Sequence, residues 1–232
     1  MARTSSKGKC HFCGAEFSKA TMSKHLATCP ARSSGAVTAS PSRQKTPPTQ
    51  TRLFHLVVEG RGAPMYWMHL EMPVEATLSN LDSFLREHWL ECCGHLSAFN
   101  IGGEAYASTV DREWGMDEKS MRGVKLGKVL SVGQQFEHEY DFGTTTELKL
   151  KVVAEREGTA VKGKSVQVLA QNDAPEIPCE NCGKLATQVC SQCIYEGEGW
   201  VCDDCAEEHE CGEDMLLPVV NSPRVGMCGY TG

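Results

Sequence analysis

Long apolar runs are missing from this 232-residue sequence. A helix that spans a membrane needs about 18 or more consecutive apolar residues, and no segment approaches that length. The first residues, MARTSSKGKCHFCGAEF, are basic and polar and lack the apolar core of a signal peptide. We therefore expect a soluble, cytoplasmic protein without membrane contact, whose thiols stay reduced.

Common catalytic motifs are missing as well. The sequence has neither a G-x-S-x-G nucleophile turn nor an H-E-x-x-H zinc-protease helix. The tripeptide Asp141-Phe142-Gly143 also occurs in protein kinases, but no Gly-rich phosphate loop or catalytic H-R-D accompanies it. A turn between two strands is the simpler interpretation. We therefore predict no catalytic residues, and the alternative is an enzyme of unknown type with its site in the middle of the chain.

Basic residues are scarce at one end of the chain. Residues 179–232 contain two basic and ten acidic residues, whereas residues 1–52 contain nine basic residues and one acidic residue. Residues 53–178 contain 12 basic and 19 acidic residues. Because phosphate binding depends on Lys and Arg, any nucleic acid should bind through residues 1–52. The acidic end should contact a protein partner.

Thirteen cysteines stand out against these absences, and the first group has metal-ligand spacing. Cysteine pairs near histidine in a reducing compartment indicate metal ligands rather than disulfides. Two cysteines three residues apart present both sulfurs to one ion, and a His and a Cys four apart share a helix face. Phe17 and Met22 would close a small core. The front ligands, spaced C-x2-C-x11-H-x3-C, are Cys10, Cys13, His25 and Cys29.

This front group resembles the classical zinc finger. It differs in having Cys in place of the last His and one residue fewer between Phe17 and Met22. A single DNA-reading finger contacts about three base pairs and gives little specificity. We therefore expect this finger to bind either a protein or a nucleic acid.

A second cysteine-rich segment lies near the other end and resembles the MYND and B-box group of cross-braced zinc modules. Four ligands per zinc ion imply two ions here and about three Zn²⁺ ions per chain. Cys179, Cys182, Cys202 and Cys205 would hold one ion in a cross-brace, and a sequential pairing is the alternative. Nine candidates for eight places leave one thiol spare, either Cys211 or Cys228. The candidates are Cys179, Cys182, Cys190, Cys193, Cys202, Cys205, His209, Cys211 and Cys228.

The rear segment has few apolar residues, so metal binding must supply most of its folding free energy, on the order of 10 kcal/mol per site. The thiolates suffice to fill both coordination shells, whereas a catalytic zinc keeps one position open to water. We therefore predict structural zinc.

The remaining pattern predicts an α+β fold with a mainly antiparallel sheet and one main amphipathic helix, flanked by two small zinc modules. The segments LFHLVVE and MYWMHLEM are typical strands, and Leu78, Leu81, Leu85 and Trp89 recur at helical spacing. Residues 31–52, rich in Ser, Thr, Pro and Ala, should form a flexible basic linker. The predicted parts are a finger (1–30), the linker (31–52), an α+β domain (53–172) and a double zinc module (173–232).

Other thiols and imidazoles of the middle domain lack ligand spacing. We expect Cys92 and Cys93, at the end of the amphipathic helix, to be buried thiols. The histidines should be ordinary strand-face or helix-face residues, and they are His55, His69, His88, His95 and His138.

The middle domain resembles the Ri-plasmid open-reading-frame-three-like family. The resemblance spans residues 53 to about 157 and rests chiefly on IGGEAY (101–106) and YDFG (140–143). It implies an α+β fold and an association with transposons, and it assigns no activity. The family usually continues with an acidic residue, a Trp and a His, where this chain has TTTEL (144–148). We therefore expect a non-catalytic zinc-binding interaction or adaptor protein, linked to mobile elements or nucleic-acid processes through its basic finger.

Overall fold

A ten-stranded sheet organises the molecule. The computed structural model describes residues 6–33, 50–110, 119–160 and 163–232. The strand order is β2-β1-β10-β4-β3-β9-β8-β5-β6-β7, and every pair is antiparallel except β6 with β7. The strands are β1 (Lys7–Cys10), β2 (Glu16–Ser18), β3 (Gln50–Gly60), β4 (Trp67–Pro73), β5 (Ser97–Ile101), β6 (Glu104–Ala107), β7 (Lys119–Ser120), β8 (Gln135–Tyr140), β9 (Thr146–Thr159) and β10 (Gln167–Asn172). The predicted strand-rich, mainly antiparallel fold is confirmed.

The helices are short. The predicted amphipathic helix begins after Thr77, whose side chain accepts a hydrogen bond from the Asn80 backbone N–H. It runs as an α-helix only to Leu85 and continues as a π-helical turn over Arg86–Leu90. The α-helices are α1 (Lys19–Thr28), α2 (Pro30–Ser33), α3 (Leu78–Leu85), α4 (Leu126–Val129) and α5 (Asp203–Ala206).

The main core lies between α3 with its π-helical turn and one face of the sheet. The apolar stripe predicted from the sequence is buried, with Leu78, Leu81 and Leu85 fully covered and Trp89 1% exposed. These side chains belong to one apolar cluster with alternate residues of β3, β4, β8 and β9. The period-3.6 pattern of the helix and the period-2 pattern of the strands thus meet in a single core.

The front finger is part of the sheet. Strand β1 pairs with β10 of the middle domain, with Gly8 opposite Asn172 and Cys10 opposite Ala170. The fully buried Trp67 of β4 packs in the same apolar cluster as Met22 of the finger. The expectation that the finger is a separate module is therefore wrong, because β1 extends the central sheet.

Charged side chains reinforce this junction. Arg32 of α2 pairs with Glu71 of β4, and Arg156 of β9 contacts the same carboxylate. The Glu71 side chain is only 4% exposed, so its carboxylate needs these cations to offset its desolvation.

The bounds predicted for the linker, 31–52, are too wide at both ends. Helix α2 includes residues 31–33, and β3 already begins at Gln50. Residues 34–49 lie outside the described residues.

The cysteine-rich end forms its own small sheet. Three strands, in the order β12-β11-β13, lie at its centre. After β13 the chain returns to the middle domain, where Val225 joins the main core and the Ser222 hydroxyl donates to the Trp89 carbonyl at 2.6 Å. The apolar C-terminal tail therefore folds back onto the middle domain. The strands are β11 (Gln188–Cys190), β12 (Trp200–Val201) and β13 (Leu216–Pro218).

Helices long and apolar enough to cross a bilayer are absent from the described residues.

The first prediction concerns the contact between finger and sheet. A Cβ atom on Gly8 would lie 2.1 Å from the Gln171 carbonyl oxygen and 2.6 Å from the Asn172 Cα. Since backbone atoms cannot move aside cheaply, Gly8→Ala should force β1 away from β10 and reduce the free energy of unfolding by about 1–3 kcal/mol. Chemical denaturation and amide exchange along β1 measure this.

Gly62→Ala is the matched control, because no atom lies within 4 Å of its added Cβ. Equal stability of the two variants would show that the β1–β10 pairing does not hold the finger.

Candidate metal centres

All thirteen cysteines and three histidines gather into four groups, each able to place four ligand atoms within 4.8 Å of one another. Zinc prefers a tetrahedron of sulfur and imidazole nitrogen, and each group supplies such a set. The predicted count of about three ions is therefore one below the number of clusters in the structure.

The front cluster is built by a turn and a helix. Cys10 ends β1, Cys13 lies in the turn that follows, and His25 and Cys29 come from the end of α1. The Gly14 N–H donates to the Cys10 carbonyl at 2.8 Å, and Gly14 has a φ of 71° that suits glycine. The Cys13 sulfur lies 3.3 Å from the His25 Nε2. The sequence spacing thus becomes a closed set of four ligands.

A fully buried Met22 and the half-buried Phe17 close this small unit, as predicted. The Phe17 ring stacks on the imidazole of His25 with 4.4 Å between centroids. The apolar residue therefore fixes the orientation of a candidate ligand.

The rear segment forms two clusters that share its small sheet. The first contains Cys179, Cys182, Cys202 and Cys205, with 3.5 Å between the sulfurs of Cys182 and Cys202. In the second, the Cys193 sulfur lies 3.7 Å from both the His209 Nε2 and the Cys211 sulfur. The members of the second cluster are Cys190, Cys193, His209 and Cys211.

Ligand pairs of the two rear clusters alternate along the chain. The first and third pairs make one cluster, and the second and fourth pairs make the other. This is the cross-brace predicted from the sequence and not the sequential alternative, and in it each cluster holds the chain segment that leads to the other. Chain crossing therefore links the stability of one cluster to that of its neighbour.

The local electrostatics favour a cation in both rear clusters. Burial alone raises the pKa of the Cys179 thiol, but backbone N–H groups of Cys202, Cys182 and Asn181 lower it to about 6. At neutral pH this thiol is therefore a thiolate and ready to bind metal.

Thiol crowding has the opposite effect on other members. The pKa of Cys193 rises to about 12, first through its hydrogen bond to the Cys190 sulfur and then through burial. The pKa of Cys205 also rises to about 12, chiefly through the sulfurs of Cys182 and Cys202. Neighbouring thiolates repel one another, and a bound divalent cation removes that repulsion.

A fourth cluster was not anticipated from the sequence. Cys92, Cys93 and His95 of the middle domain meet Cys228 of the C-terminal segment. The expectation that Cys93 is buried is wrong, since it is exposed, and Cys92 is half-buried. His95 is not an ordinary strand-face residue either. The only sequence signal for this cluster is the short C-C-x-H spacing of Cys92, Cys93 and His95. Its fourth member, Cys228, lies 133 positions after His95.

Four middle-domain histidines stay outside the clusters, as expected. His55 and His69 are buried with their Nε2 and Nδ1 atoms 2.8 Å apart. Burial lowers the pKa of each to about 3, so the pair is neutral and one ring donates to the other. His138 contacts Asp82 at 2.8 Å, and the exposed His88 stacks on Phe84. These side chains have structural partners.

A cleft of about 360 Å³ separates the 60–66 loop from the rear module. Its walls are mainly apolar and include Tyr66, Ile194, Trp200 and Met227, and neither Cys nor His lines it. The cleft therefore lacks the usual thiol or imidazole groups of a nucleophile–base pair.

Comparisons with known proteins identify the middle of the chain. The family model described as "Plasmid pRiA4b ORF-3-like protein" matches residues 54–193. This confirms the resemblance proposed for the middle domain and extends it to the first four cysteines of the rear module. A crystal structure of a protein of unknown function from Methanosarcina mazei Go1 is similar over 59% of this chain and 76% of that chain, with 17% identity and a TM-score of 0.44. Curated proteins give no match.

The second prediction tests the second rear cluster. A Cβ atom on Gly199 would lie 2.7 Å from the Cys193 Cβ and 3.0 Å from the Cys190 Cβ. Gly199→Ala should therefore push the two ligands apart and weaken zinc binding at that cluster by about tenfold or more, as support-residue changes do. Competition with a chromophoric chelator measures the affinity.

Gly197→Ala is the control for backbone strain. Gly197 has a φ of 85° against 93° for Gly199, but its added Cβ meets no atom within 4 Å. If both variants lose the same affinity, strain rather than ligand displacement is responsible.

Proposed function

The chain belongs to the plasmid pRiA4b ORF-3-like family, and from that premise we propose that it is a non-catalytic zinc-binding adaptor for a protein partner. The observation that carries the proposal is the closure of the three predicted clusters by four protein ligands each. A metal with a full protein shell offers no position for water or substrate, so it stabilises structure instead of activating a nucleophile.

The acidic rear surface supports a basic protein partner. Glu207, Glu208 and Glu210 flank the candidate ligand His209 in the chain and are exposed, and Glu213 and Asp214 shortly after them are exposed as well. A zinc ion with four thiolates carries a net charge of about −2, which adds to this field. Lysine-rich or arginine-rich segments are the chemistry that such a surface attracts.

The basic front end gives weaker support to nucleic-acid binding than its composition suggested. Within residues 6–52, the structure describes six basic residues, and four of them have carboxylate partners. Lys19 pairs with Glu59, and Arg32 with the buried Glu71. Cations that are already paired contribute less to phosphate binding. We therefore propose a protein partner first and treat nucleic acid as an outcome of the test.

The enzyme alternative draws no support from the cleft beside the rear module. Its lining residues contain neither Cys nor His. The sequence also has threonines at 144–146, where the family resemblance placed an acidic residue ahead of a Trp and a His. The link to mobile elements stays a prediction from that resemblance.

The third prediction concerns metal coordination. X-ray absorption spectroscopy of the zinc-loaded chain should show only sulfur and nitrogen in the first shell, with Zn–S distances of about 2.3 Å. Four-coordinate zinc without oxygen is expected because each cluster has four protein donors. An oxygen ligand that exchanges with solvent or is displaced by a small anion would mean an open site, and the non-catalytic proposal would fail.

The fourth prediction concerns the partner surface. A fluorescent arginine-rich peptide should bind the chain with an affinity that falls as salt rises. Reversal of Glu207, Glu208 and Glu210 to Lys should weaken this binding by about tenfold or more at low salt, because each exposed pair contributes up to about 1 kcal/mol. Fluorescence anisotropy measures both, with a labelled duplex DNA as the second probe.

A matched variant carries the same charge change on the middle domain and should bind the peptide like the parent chain. Equal losses in both variants would indicate a general charge effect, and tighter binding of DNA than of peptide would overturn the choice of partner. The control reversals are Glu75→Lys, Glu87→Lys and Glu157→Lys.

A further inference from the structure

We propose that Cys92, Cys93, His95 and Cys228 bind one zinc ion, and that this ion fastens the C-terminal segment (residues 219–230) to the middle domain. The site joins two parts of the chain that sequence spacing does not connect. It goes beyond the adaptor function, which rests on the other three clusters.

As in the other three clusters, the four ligand atoms of this fourth cluster lie within 4.8 Å of one another. The His95 Nε2 lies 3.0 Å from the Cys93 sulfur and 3.3 Å from the Cys228 sulfur. The sulfurs of Cys92 and Cys93 are 3.5 Å apart, and those of Cys93 and Cys228 are 3.9 Å apart. Zn–S bonds of about 2.3 Å in a tetrahedron require ligand separations of about 3.5–4 Å. The four atoms therefore surround a position for one ion.

The chemistry of the donors selects the metal. Three thiolates and one imidazole suit zinc, whereas calcium and magnesium require oxygen ligands. Every thiol of the chain then belongs to a four-ligand set, since the other ten cysteines occupy the other three clusters.

The middle-domain side of the cluster is held in place by hydrogen bonds to one carboxylate. The Glu91 carboxylate accepts hydrogen bonds from the Gly94 N–H at 2.6 Å and from the Tyr140 hydroxyl at 2.9 Å. Arg86 Nε donates to the same carboxylate at 2.7 Å. These contacts fix the short loop that carries Cys92, Cys93 and His95, which is the support that metal ligands require.

The C-terminal side is also fixed. Cys228 has a φ of 48°, a left-handed conformation that residues with a Cβ rarely adopt. The Tyr230 N–H donates to the Met227 carbonyl at 2.8 Å and closes the turn that aims Cys228 at the loop. Strained backbone persists where the surroundings over-determine it, commonly at ligand-binding positions.

A buried cation balances the charge of the site. Zinc with three thiolates has a net charge of about −1. The fully buried Arg224 guanidinium lies 3.4 Å from the Cys92 sulfur and 2.7 Å from the Asp141 carboxylate. Arg224, which belongs to the C-terminal segment itself, therefore offsets one of these two negative charges.

The family-typical YDFG segment takes part in this support. The Asp141 carboxylate contacts Arg224 and also accepts from the backbone N–H groups of Gly143 and Thr144. Tyr140 contacts Glu91 and Cys92. The segment that carries the family resemblance thus positions the proposed zinc site.

The decisive measurement is the zinc content of the full chain, purified reduced and with zinc present. Inductively coupled plasma mass spectrometry should give four zinc ions for the parent chain, one per cluster. Cys228→Ser and Cys93→Ser should each give three. Met227→Leu, which changes a neighbour of Cys228 that is not a ligand, should retain four.

Hydrogen exchange distinguishes local release of the C-terminal segment from unfolding of the whole chain. In Cys228→Ser, peptides from residues 225–232 should exchange faster, by tenfold or more, while peptides around the rear clusters keep their protection. A parent chain with three ions, or a Cys228→Ser variant with the parent's zinc content, would overturn the proposal. If Cys228→Ser loses protection throughout the chain, its zinc content no longer reports on this cluster, and Cys93→Ser then serves as the test. A Cys93→Ser variant with the parent's zinc content would also overturn the proposal.

Discussion

Crowding of thiolates is the constraint on which the rest of this structure depends. Thirteen sulfurs lie in four groups whose ligand atoms are within 4.8 Å of one another. Some thiols, such as Cys179, are acidified by backbone N–H groups, while Cys193 and Cys205 resist deprotonation beside their neighbours. A divalent cation resolves this conflict, because it stabilises all the thiolates of a group at once. In the proposed zinc-bound form, the acidic rear segment depends on metal for its fold, and the thiolates of the four-cysteine cluster add to its negative charge.

The central sheet decides how the metal clusters relate to one another. Strand β1 of the front finger extends the sheet beside β10, so the finger is fixed rather than tethered. At the other end, Ser222 and Arg224 bring the C-terminal segment back to the middle domain. Front and rear modules thus share one scaffold. A partner bound to the acidic surface would meet a surface of fixed shape, which reduces the entropic cost of binding.

Much of this fold follows from local patterns. Alternating residues predicted the paired strands β3 and β4, and the spacing of Leu78, Leu81 and Leu85 predicted the buried helix face. The ligands of the front cluster lie within 20 positions of one another, so their spacing alone groups them. The π-helical turn after α3 could not be predicted in this way, because Trp89 continues the apolar spacing expected of a longer α-helix.

The amino-acid sequence by itself determined the element types, the family and which cysteines form local pairs, because each of these depends on residues close together in the chain. Tertiary structure alone decided that β1 joins β10, and that Cys228 leaves the rear module to meet Cys92, Cys93 and His95. Those contacts join residues more than 130 positions apart, where the path of the backbone, and no spacing rule, sets the distance between side chains.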